Sequence, residues 1–220
     1  MIGIKEQEEL FIDIGRALER KITAYAIGGT ALMLHGIKAA TLDVDIVLES
    51  EEDREYLMDT MRKLAYKDSD YRLVYKEAKK GIPMMLMGEK VRFDFFVNQV
   101  ITASFSNKMK ERADETHEFG NLTLKAAHPT DVAIMKSATD REKDDIDIEE
   151  IYKKSLLDWN ILLDAAEEQV QLGNERAILD LGYKLEKLNN QKRIAVPKGF
   201  SDKLWKLLKK QVRGKRRKRT

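Results

Sequence analysis

The stretch YAIGGTALMLHGIKAATLDVDIVL, residues 25–48, decides the fold of this chain. Its first residues belong to a predicted short apolar strand, residues 22–29, which ends at Gly28 and Gly29. Residues 30–36 then have the length and composition of a short helix. The last third of the stretch alternates in polarity and predicts a second strand. A strand, a turn of two glycines, a helix and a strand therefore follow one another within the stretch.

Two carboxylates share one face of that second strand. Because side chains alternate along a strand, Asp43 and Asp45 point to one side, and Val44 and Ile46 point to the other. Alternate residues on one face lie about 7 Å apart, which is close enough for two side chains to converge on one ligand.

The sequence on either side of the stretch supplies the remainder of an α/β unit. Asp94 lies in the apolar run VRFDFFVNQVI, residues 91–101, where a carboxylate without a cationic partner would be costly to bury. It is thus a candidate partner for the first two carboxylates. Amphipathic helices are predicted at residues 5–20 and 50–67, and further strands at residues 71–78 and 83–88.

Beyond about residue 104 the pattern changes to one short strand followed by helices. The fold class predicted is α+β, with a mixed β-sheet flanked by helices and then a helical C-terminal lobe. We expect an α/β domain at residues 1–125 and a helical domain at residues 126–212. Residues 213–220 form a basic tail that is expected to be disordered.

Composition excludes several classes of protein. The chain has no cysteine, so disulfides, thiolate zinc sites and cysteine nucleophiles are ruled out. There is no signal-peptide pattern and no run of about 18 apolar residues, so we expect a soluble, cytoplasmic protein without a membrane partner. The net charge is +2, yet residues 201–220 alone carry +9, which leaves −7 for residues 1–200. The excess of basic charge is confined to the tail.

The three carboxylates and the glycines suit one kind of chemistry. Transfer of a nucleotidyl group from an NTP builds negative charge on the attacking oxygen and on the departing pyrophosphate, and two Mg²⁺ ions about 4 Å apart can neutralise it. Mg²⁺ prefers carboxylate oxygens, which makes Asp43, Asp45 and Asp94 candidate catalytic residues and metal ligands.

The turn before the helix is a candidate phosphate cradle. The backbone of Gly28 and Gly29 can approach phosphate oxygens closely, and the Thr30 hydroxyl can donate to them. Taken alone, two glycines are usually a tight turn, and an Asp-x-Asp strand is more often solvent-facing. Their combination with a later buried Asp is far more specific.

At this point the chain resembles a known family. GGTALMLHGIKAATLDVDIVL resembles the polymerase-β-like nucleotidyltransferase superfamily, in which a Gly-Gly or Gly-Ser turn precedes Asp-x-Asp on the next strand. It is more closely similar to small prokaryotic proteins related to the AbiEii-type toxins of toxin–antitoxin systems. RFDFFVNQVI, SNKMKERA, GNLTL, PTDVAIMKSATDREKDDIDI and LLDWN follow the order of elements in that group, so the resemblance covers roughly residues 20–165.

The resemblance implies further site residues. Lys136 and Asp144 match a helical lysine and an aspartate in a basic-acidic motif of those relatives, and Arg141 belongs to the same run. All three are assigned to nucleotide binding; without the resemblance, a solvated, salt-bridged helix face is the better interpretation. One departure concerns specificity, because Gly29 stands where many members have Ser and Lys38 is the nearest base before Asp-x-Asp.

The predicted function is therefore Mg²⁺-dependent transfer of a nucleoside monophosphate from an NTP to an acceptor hydroxyl, with an RNA 3′ end or a protein side chain favoured. The alternative is a non-catalytic nucleotide- or RNA-binding regulator, or one component of a toxin–antitoxin pair. Possible partners are tRNA or another RNA, bound through the basic tail, and a cognate antitoxin.

Overall fold

The computed structural model describes residues 1–73 and 81–217 and divides the chain into two compact units. The first unit comprises Met1–Ile101 and Asn107–His128. The second unit comprises Thr102–Ser106 and the chain from Pro129 onward. The second unit therefore recruits a short segment from the middle of the first.

The first unit is built on one sheet with helices packed against it. Its helices are α1 (Ile4–Ala17), α2 (Gly28–Leu34), α3 (Glu51–Lys63) and α4 (Asn107–Arg112). The strands before residue 81 are β1 (Ile2–Gly3), β2 (Ile22–Ala26), β3 (Ala40–Thr41), β4 (Asp43–Leu48) and β5 (Lys67–Ser69). The strands after it are β6 (Met84–Met87), β7 (Arg92–Val97), β8 (Gln99–Val100), β9 (Ala103–Ser104), β10 (Thr116–Phe119) and β11 (Leu122–Ala126), of which β9 belongs to the second unit.

The main sheet of the first unit is mixed, with the strand order β10-β11-β2-β4-β7-β6-β5. The central strand β4 runs parallel to β7 and antiparallel to β2, and β11 runs parallel to β2. A separate pair is formed by β1 and β3. Both edges of β4 are thereby paired with neighbouring strands, β2 on one side and β7 on the other.

One face of the sheet holds an aromatic core. The rings of Phe93 and Phe95 on β7 stack with centroids 5.8 Å apart. The rings of Phe11, from α1, and Tyr66 meet Phe93 edge-on at 6.5 and 5.5 Å. These aromatic contacts fix α1 against β7 and leave the opposite face of β4 and β7 for the charged residues.

The second unit is helical. It contains α5 (Pro129–Lys136), α6 (Glu142–Lys153), α7 (Trp159–Gln171), α8 (Glu175–Asn190) and α9 (Phe200–Arg217). The segment Thr102–Ser106 is held by Gln169 of α7, whose amide oxygen accepts the Ser104 N–H at 2.8 Å and whose amide nitrogen donates to the Ser104 carbonyl at 2.7 Å. Gln169 is fully buried, so these bonds replace those that water would otherwise make.

The predicted fold class is confirmed: a mixed sheet with helices is followed by the helical region α5–α9. The helix predicted at residues 5–20, the strand carrying Asp43 and Asp45, and the strand carrying Asp94 are all present. Among the residues described, no helix is both long enough and apolar enough to cross a membrane.

Two predicted elements differ from the structure. Tyr71–Leu73, at the start of the strand predicted for residues 71–78, is a 3₁₀ turn, because the Asp70 carboxylate accepts the Arg72 N–H at 2.9 Å and bends the chain. The remainder of that prediction, residues 74–78, lies outside the described residues. After residue 104 there is a hairpin of β10 and β11 where one strand was predicted, since the polar sequence THEF gave β10 no apolar alternation.

The C-terminal stretch is helical over part of the predicted tail. Helix α9 continues to Arg217, so residues 213–217 extend the last helix. Residues 218–220 lie outside the described residues.

Gly15 of α1 provides a steric test of how this helix packs. A Cβ on Gly15 would overlap the carbonyl oxygen of Phe119, and the Gly15 carbonyl accepts the Asn121 N–H at 3.1 Å. We expect Gly15→Ala to lower the free energy of unfolding by about 1–3 kcal/mol, although alanine is the better helix former. Thermal unfolding followed by circular dichroism measures the change.

Gly182 of α8 is the matched control, because a Cβ there would lie 3.6 Å from the Trp205 ring, an ordinary van der Waals distance. Gly182→Ala should stabilise the protein by up to about 1 kcal/mol through helix propensity. Equal tolerance of alanine at the two glycines would contradict the packing of α1 against the β10–β11 turn.

Candidate functional site

Four charged side chains share one face of two neighbouring strands. In the parallel register of β4 and β7, Asp43 lies beside Arg92 and Asp45 lies beside Asp94. Residues that pair across parallel strands point to the same side of the sheet, as do alternate residues along one strand. The four side chains therefore form a compact square, which we call the charged square (Asp43, Asp45, Arg92 and Asp94).

The Arg92 guanidinium joins two of the carboxylates. Its Nε donates to Asp94 Oδ1 at 2.6 Å and its Nη2 donates to Asp94 Oδ2 at 3.0 Å, which is the bidentate geometry of a strong ion pair. The same Nη2 donates to Asp43 Oδ2 at 2.7 Å. One cation thus pairs with carboxylates on two strands.

The ion pairs of Arg92 are buried, so breaking one of them is energetically costly. Asp94 is fully buried, while the side chains of Asp43 and Arg92 keep only 13% and 17% of their exposure. Removing one partner of a buried ion pair leaves an uncompensated charge and costs about 3–5 kcal/mol. The apolar run around Asp94 is tolerated because Arg92, two residues earlier on the same face, supplies the cation.

Gly28 brings the backbone against Asp45. It has a φ of +57°, a conformation that favours glycine, and a Cβ at this position would collide with the Asp45 carboxylate. The Ile27 N–H also donates to the Asp45 carbonyl at 3.1 Å. The start of α2 and the middle of β4 are consequently in direct contact.

The next two residues of the motif fix the same contact. A Cβ on Gly29 would lie 2.5 Å from the Thr41 hydroxyl, so only glycine fits without a shift. The hydroxyl of Thr30, which is fully buried, accepts the Asp45 N–H at 3.2 Å. Gly28 and Thr30 therefore position Asp45, and Gly29 leaves room for the Thr41 side chain beside the turn.

The second unit holds a separate ion cluster around Lys136. Its ammonium contacts Asp144 at 2.9 Å and Asp147 at 2.7 Å, and the Arg141 guanidinium donates to Asp144 at 2.7 Å. The Thr139 hydroxyl also donates to Asp144. Lys136 is 9% exposed and Asp144 is fully buried, whereas the Arg141 side chain is 45% exposed.

These contacts keep the buried groups charged. Burial alone would raise the pKa of Asp144, but Lys136, Thr139 and Arg141 outweigh it and lower that pKa to about 2. Burial alone would lower the pKa of Lys136, and Asp144 and Asp147 raise it instead. The cluster is ionised at neutral pH.

The structure places the predicted site residues in two groups. Asp43, Asp45 and Asp94 come together on adjacent strands, with Gly28, Gly29 and Thr30 beside Asp45. Lys136, Arg141 and Asp144 come together in the second unit. Sequence reasoning missed Arg92, although the spacing R-x-D within VRFDFF places a base and an acid on the same face of one strand.

The charged square fits a hard divalent cation by its donor atoms, since every acceptor is a carboxylate oxygen. No group of three or more His, Cys, Asp or Glu within the described parts of the chain is arranged to hold a metal ion. Within the charged square, the Arg92 guanidinium contacts both Asp43 and Asp94. This guanidinium shows that the face accommodates positive charge among its carboxylates.

Comparison with known proteins gives a family and two similar structures. The family described as "Nucleotidyltransferase of unknown function (DUF6036)" matches residues 15–193. A crystal structure of ANT(2")-Ia in complex with adenylyl-2"-tobramycin is 14% identical, covers 83% of this chain and 98% of its own, and has a TM-score of 0.47. A CCA-adding enzyme in complex with CTP is 15% identical, covers 82% of this chain and 50% of its own, and has a TM-score of 0.30. No protein with a curated description matches the chain.

Acid should weaken the Lys136 cluster in a defined window. Because the pKa of Asp144 falls from 3.8 to about 2 on folding, its contribution is present above pH 4 and is lost as the pH falls toward 2. The stability advantage of the wild type over Asp144→Asn should therefore shrink by about 2 kcal/mol between pH 5 and pH 2.

Urea unfolding followed by tryptophan fluorescence measures this difference, since Trp159 and Trp205 both belong to the second unit. The control is Asp202→Asn, which removes an exposed acid. Its free energy of unfolding should differ from that of the wild type by the same amount at every pH. A pH-independent difference for Asp144→Asn would contradict the assigned ion cluster.

Proposed function

We propose that this chain, which belongs to the nucleotidyltransferase family DUF6036 by a match over residues 15–193, transfers a nucleoside monophosphate from an NTP to an acceptor hydroxyl in a Mg²⁺-dependent reaction. The observation that carries the proposal is the charged square on β4 and β7. Its carboxylates lie beside a glycine turn whose backbone contacts Asp45 directly.

Asp43 and Asp45 are the proposed Mg²⁺ ligands. When bound, two Mg²⁺ ions would polarise the acceptor hydroxyl and neutralise the charge of the leaving pyrophosphate. Both carboxylates project from alternate positions of the rigid central strand, and Thr30 fixes the backbone of Asp45. This rigidity favours a set of ligands that does not need to reorganise.

Asp94 has a proposed role that depends on Arg92. While the guanidinium occupies both oxygens of Asp94, this carboxylate anchors Arg92 and does not act as a base. As a third metal ligand, or as the group that orients or deprotonates the acceptor hydroxyl, Asp94 needs Arg92 to move away. A triphosphate offers Arg92 such an alternative, because guanidinium groups bind phosphate oxygens as well as carboxylates.

Two groups of residues, one in each unit, are proposed to bind phosphate. We propose phosphate contacts at the turn of Gly28, Gly29 and Thr30, in keeping with the resemblance; Gly28 is half-buried, and Gly29 and Thr30 are buried behind it. In the second unit Arg141 is the member of the Lys136 cluster with an exposed side chain, and is the proposed contact for a phosphate. Lys136 and Asp144 would then act by holding Arg141 in place.

The acceptor is the open part of the proposal. An RNA 3′ end or a protein hydroxyl is favoured, in keeping with the resemblance to AbiEii-type toxins in the order of elements. Membership of a toxin–antitoxin pair, with a cognate antitoxin as partner, is part of the same proposal. Fold and site chemistry constrain the nucleotide donor more strongly than the acceptor.

A second candidate function is metal-free nucleotide binding without turnover. The observation in its favour is Arg92, which already pairs with Asp43 and Asp94. In that case NTP affinity, measured by calorimetry, should be the same in Mg²⁺ and in EDTA. A catalytic site should bind NTP more tightly with Mg²⁺ than in EDTA, because the cation would offset the repulsion between the carboxylates and the triphosphate.

Loss of the two strand carboxylates should abolish transfer. We expect Asp43→Ala with Asp45→Ala to reduce Mg²⁺-dependent incorporation of label from an α-phosphate-labelled NTP by at least about 1000-fold, since charge stabilisation of this size is typical of metal sites. The acceptors offered are total RNA and a panel of proteins, and the labelled product identifies the acceptor.

The matched control is Glu52→Ala with Asp59→Ala, which removes two carboxylates from the exposed face of α3. This control should keep the wild-type rate, and circular dichroism should show that both double variants are folded. Undiminished transfer by the Asp43/Asp45 variant would refute the assignment.

A further inference from the structure

Helix α9 carries a dense basic face. Its residues, Phe200–Arg217, include eight Lys and Arg and one acid, Asp202. Three of these lysines, Lys203, Lys206 and Lys209, lie three residues apart, and at about 100° per residue helical periodicity places them within an arc of about 120°. They span about 9 Å along the helix axis and form a short row, which we call the basic face.

The opposite face of α9 is buried within the second unit. Phe200, Leu204 and Leu208, one helical turn apart, are 4%, 2% and 8% exposed. The ring of Phe200 meets Trp159 of α7 edge-on with centroids 5.0 Å apart. Because this apolar face is packed, the orientation of the helix is fixed, and Lys203, Lys206 and Lys209 are exposed.

We propose that the basic face of α9 binds the phosphodiester backbone of a nucleic acid. A row of cations along a rigid helix matches a row of phosphates, and each contact releases condensed counterions. Residues 1–200 carry a net charge of −7, so the remainder of the chain repels a polyanion and the attraction is confined to this end. The inference does not depend on nucleotidyl transfer.

An anionic membrane is the other polyanion that a basic helix can meet. Amphipathic helices bind membranes by inserting an apolar face between the lipids. In α9 that face is occupied by contacts with α7 and α8 over the described residues Phe200, Leu204 and Leu208. The surface of the helix that remains accessible to a partner is charged, and this favours a phosphodiester backbone over a membrane.

The experiment compares two triple variants of the full chain. Lys203→Glu, Lys206→Glu and Lys209→Glu reverse charge on the basic face. The matched control reverses three exposed lysines elsewhere: Lys21→Glu, Lys63→Glu and Lys154→Glu. Both variants change the net charge equally, so a difference between them reports the position of the charge. Fluorescence anisotropy over a series of salt concentrations measures binding to single-stranded RNA, double-stranded RNA and double-stranded DNA.

The wild type should bind with a steep salt dependence, and the probe bound most tightly identifies the kind of nucleic acid. The α9 variant should bind that probe at least roughly tenfold more weakly, with a log–log salt slope shallower by about 2 for a single strand, because three phosphate contacts are lost. The control should stay within about threefold of the wild type.

Three results would overturn the inference. The first is equal weakening in the two variants, and the second is absence of salt-dependent binding by the wild type to any of the three nucleic acids. The third is tighter binding to phosphatidylcholine vesicles containing phosphatidylserine than to nucleic acid. Because none of these readouts involves NTP, failure here leaves the proposed transfer reaction untouched, and failure of transfer leaves this surface untouched.

Discussion

The ion pair of Arg92 with Asp94 and Asp43 is the interaction on which the first unit depends. It places a charge at the centre of a sheet whose other face is aromatic, and it does so across two parallel strands. A buried carboxylate without a cation would destabilise this sheet by several kcal/mol, so the parallel register of β4 and β7 and the charge of Arg92 are mutually necessary. Structure and candidate function meet here, because the same guanidinium that stabilises the fold stands among the carboxylates proposed to bind metal.

One face of the sheet stabilises the fold, and the other carries the candidate site. The aromatic face, with Phe93 and Phe95 packed beneath α1, gives the strands a rigid base through apolar burial. On the charged face, the backbone at Gly28 approaches Asp45 more closely than any other residue would allow. A site in which carboxylates, backbone and a cation are held before any ligand arrives suits a reaction whose difficulty is the accumulation of negative charge.

Much of this architecture could be predicted from the sequence, for identifiable reasons. Alternation along residues 41–48 determined which way Asp43 and Asp45 point, and periodicity located α1. Arg92 could not be assigned from periodicity alone, because its partner Asp43 is 49 residues away and only the strand register brings them together. The polar strand β10 was missed since its pairing with β11, rather than its own sequence, makes it a strand. For Lys136, the resemblance implied a nucleotide contact, and the pairing with Asp144 and Asp147 emerged only from tertiary structure.

The central claim is that Asp43 and Asp45 form a divalent-cation site whose negative charge Arg92 offsets only in part. Calorimetric titration of Mn²⁺, a close mimic of Mg²⁺ in carboxylate sites, tests it most directly. The wild type should bind Mn²⁺, and Asp43→Asn with Asp45→Asn should lose that binding. Mn²⁺ binding that is absent from the wild type, or that persists unchanged in the double asparagine variant, would contradict the claim.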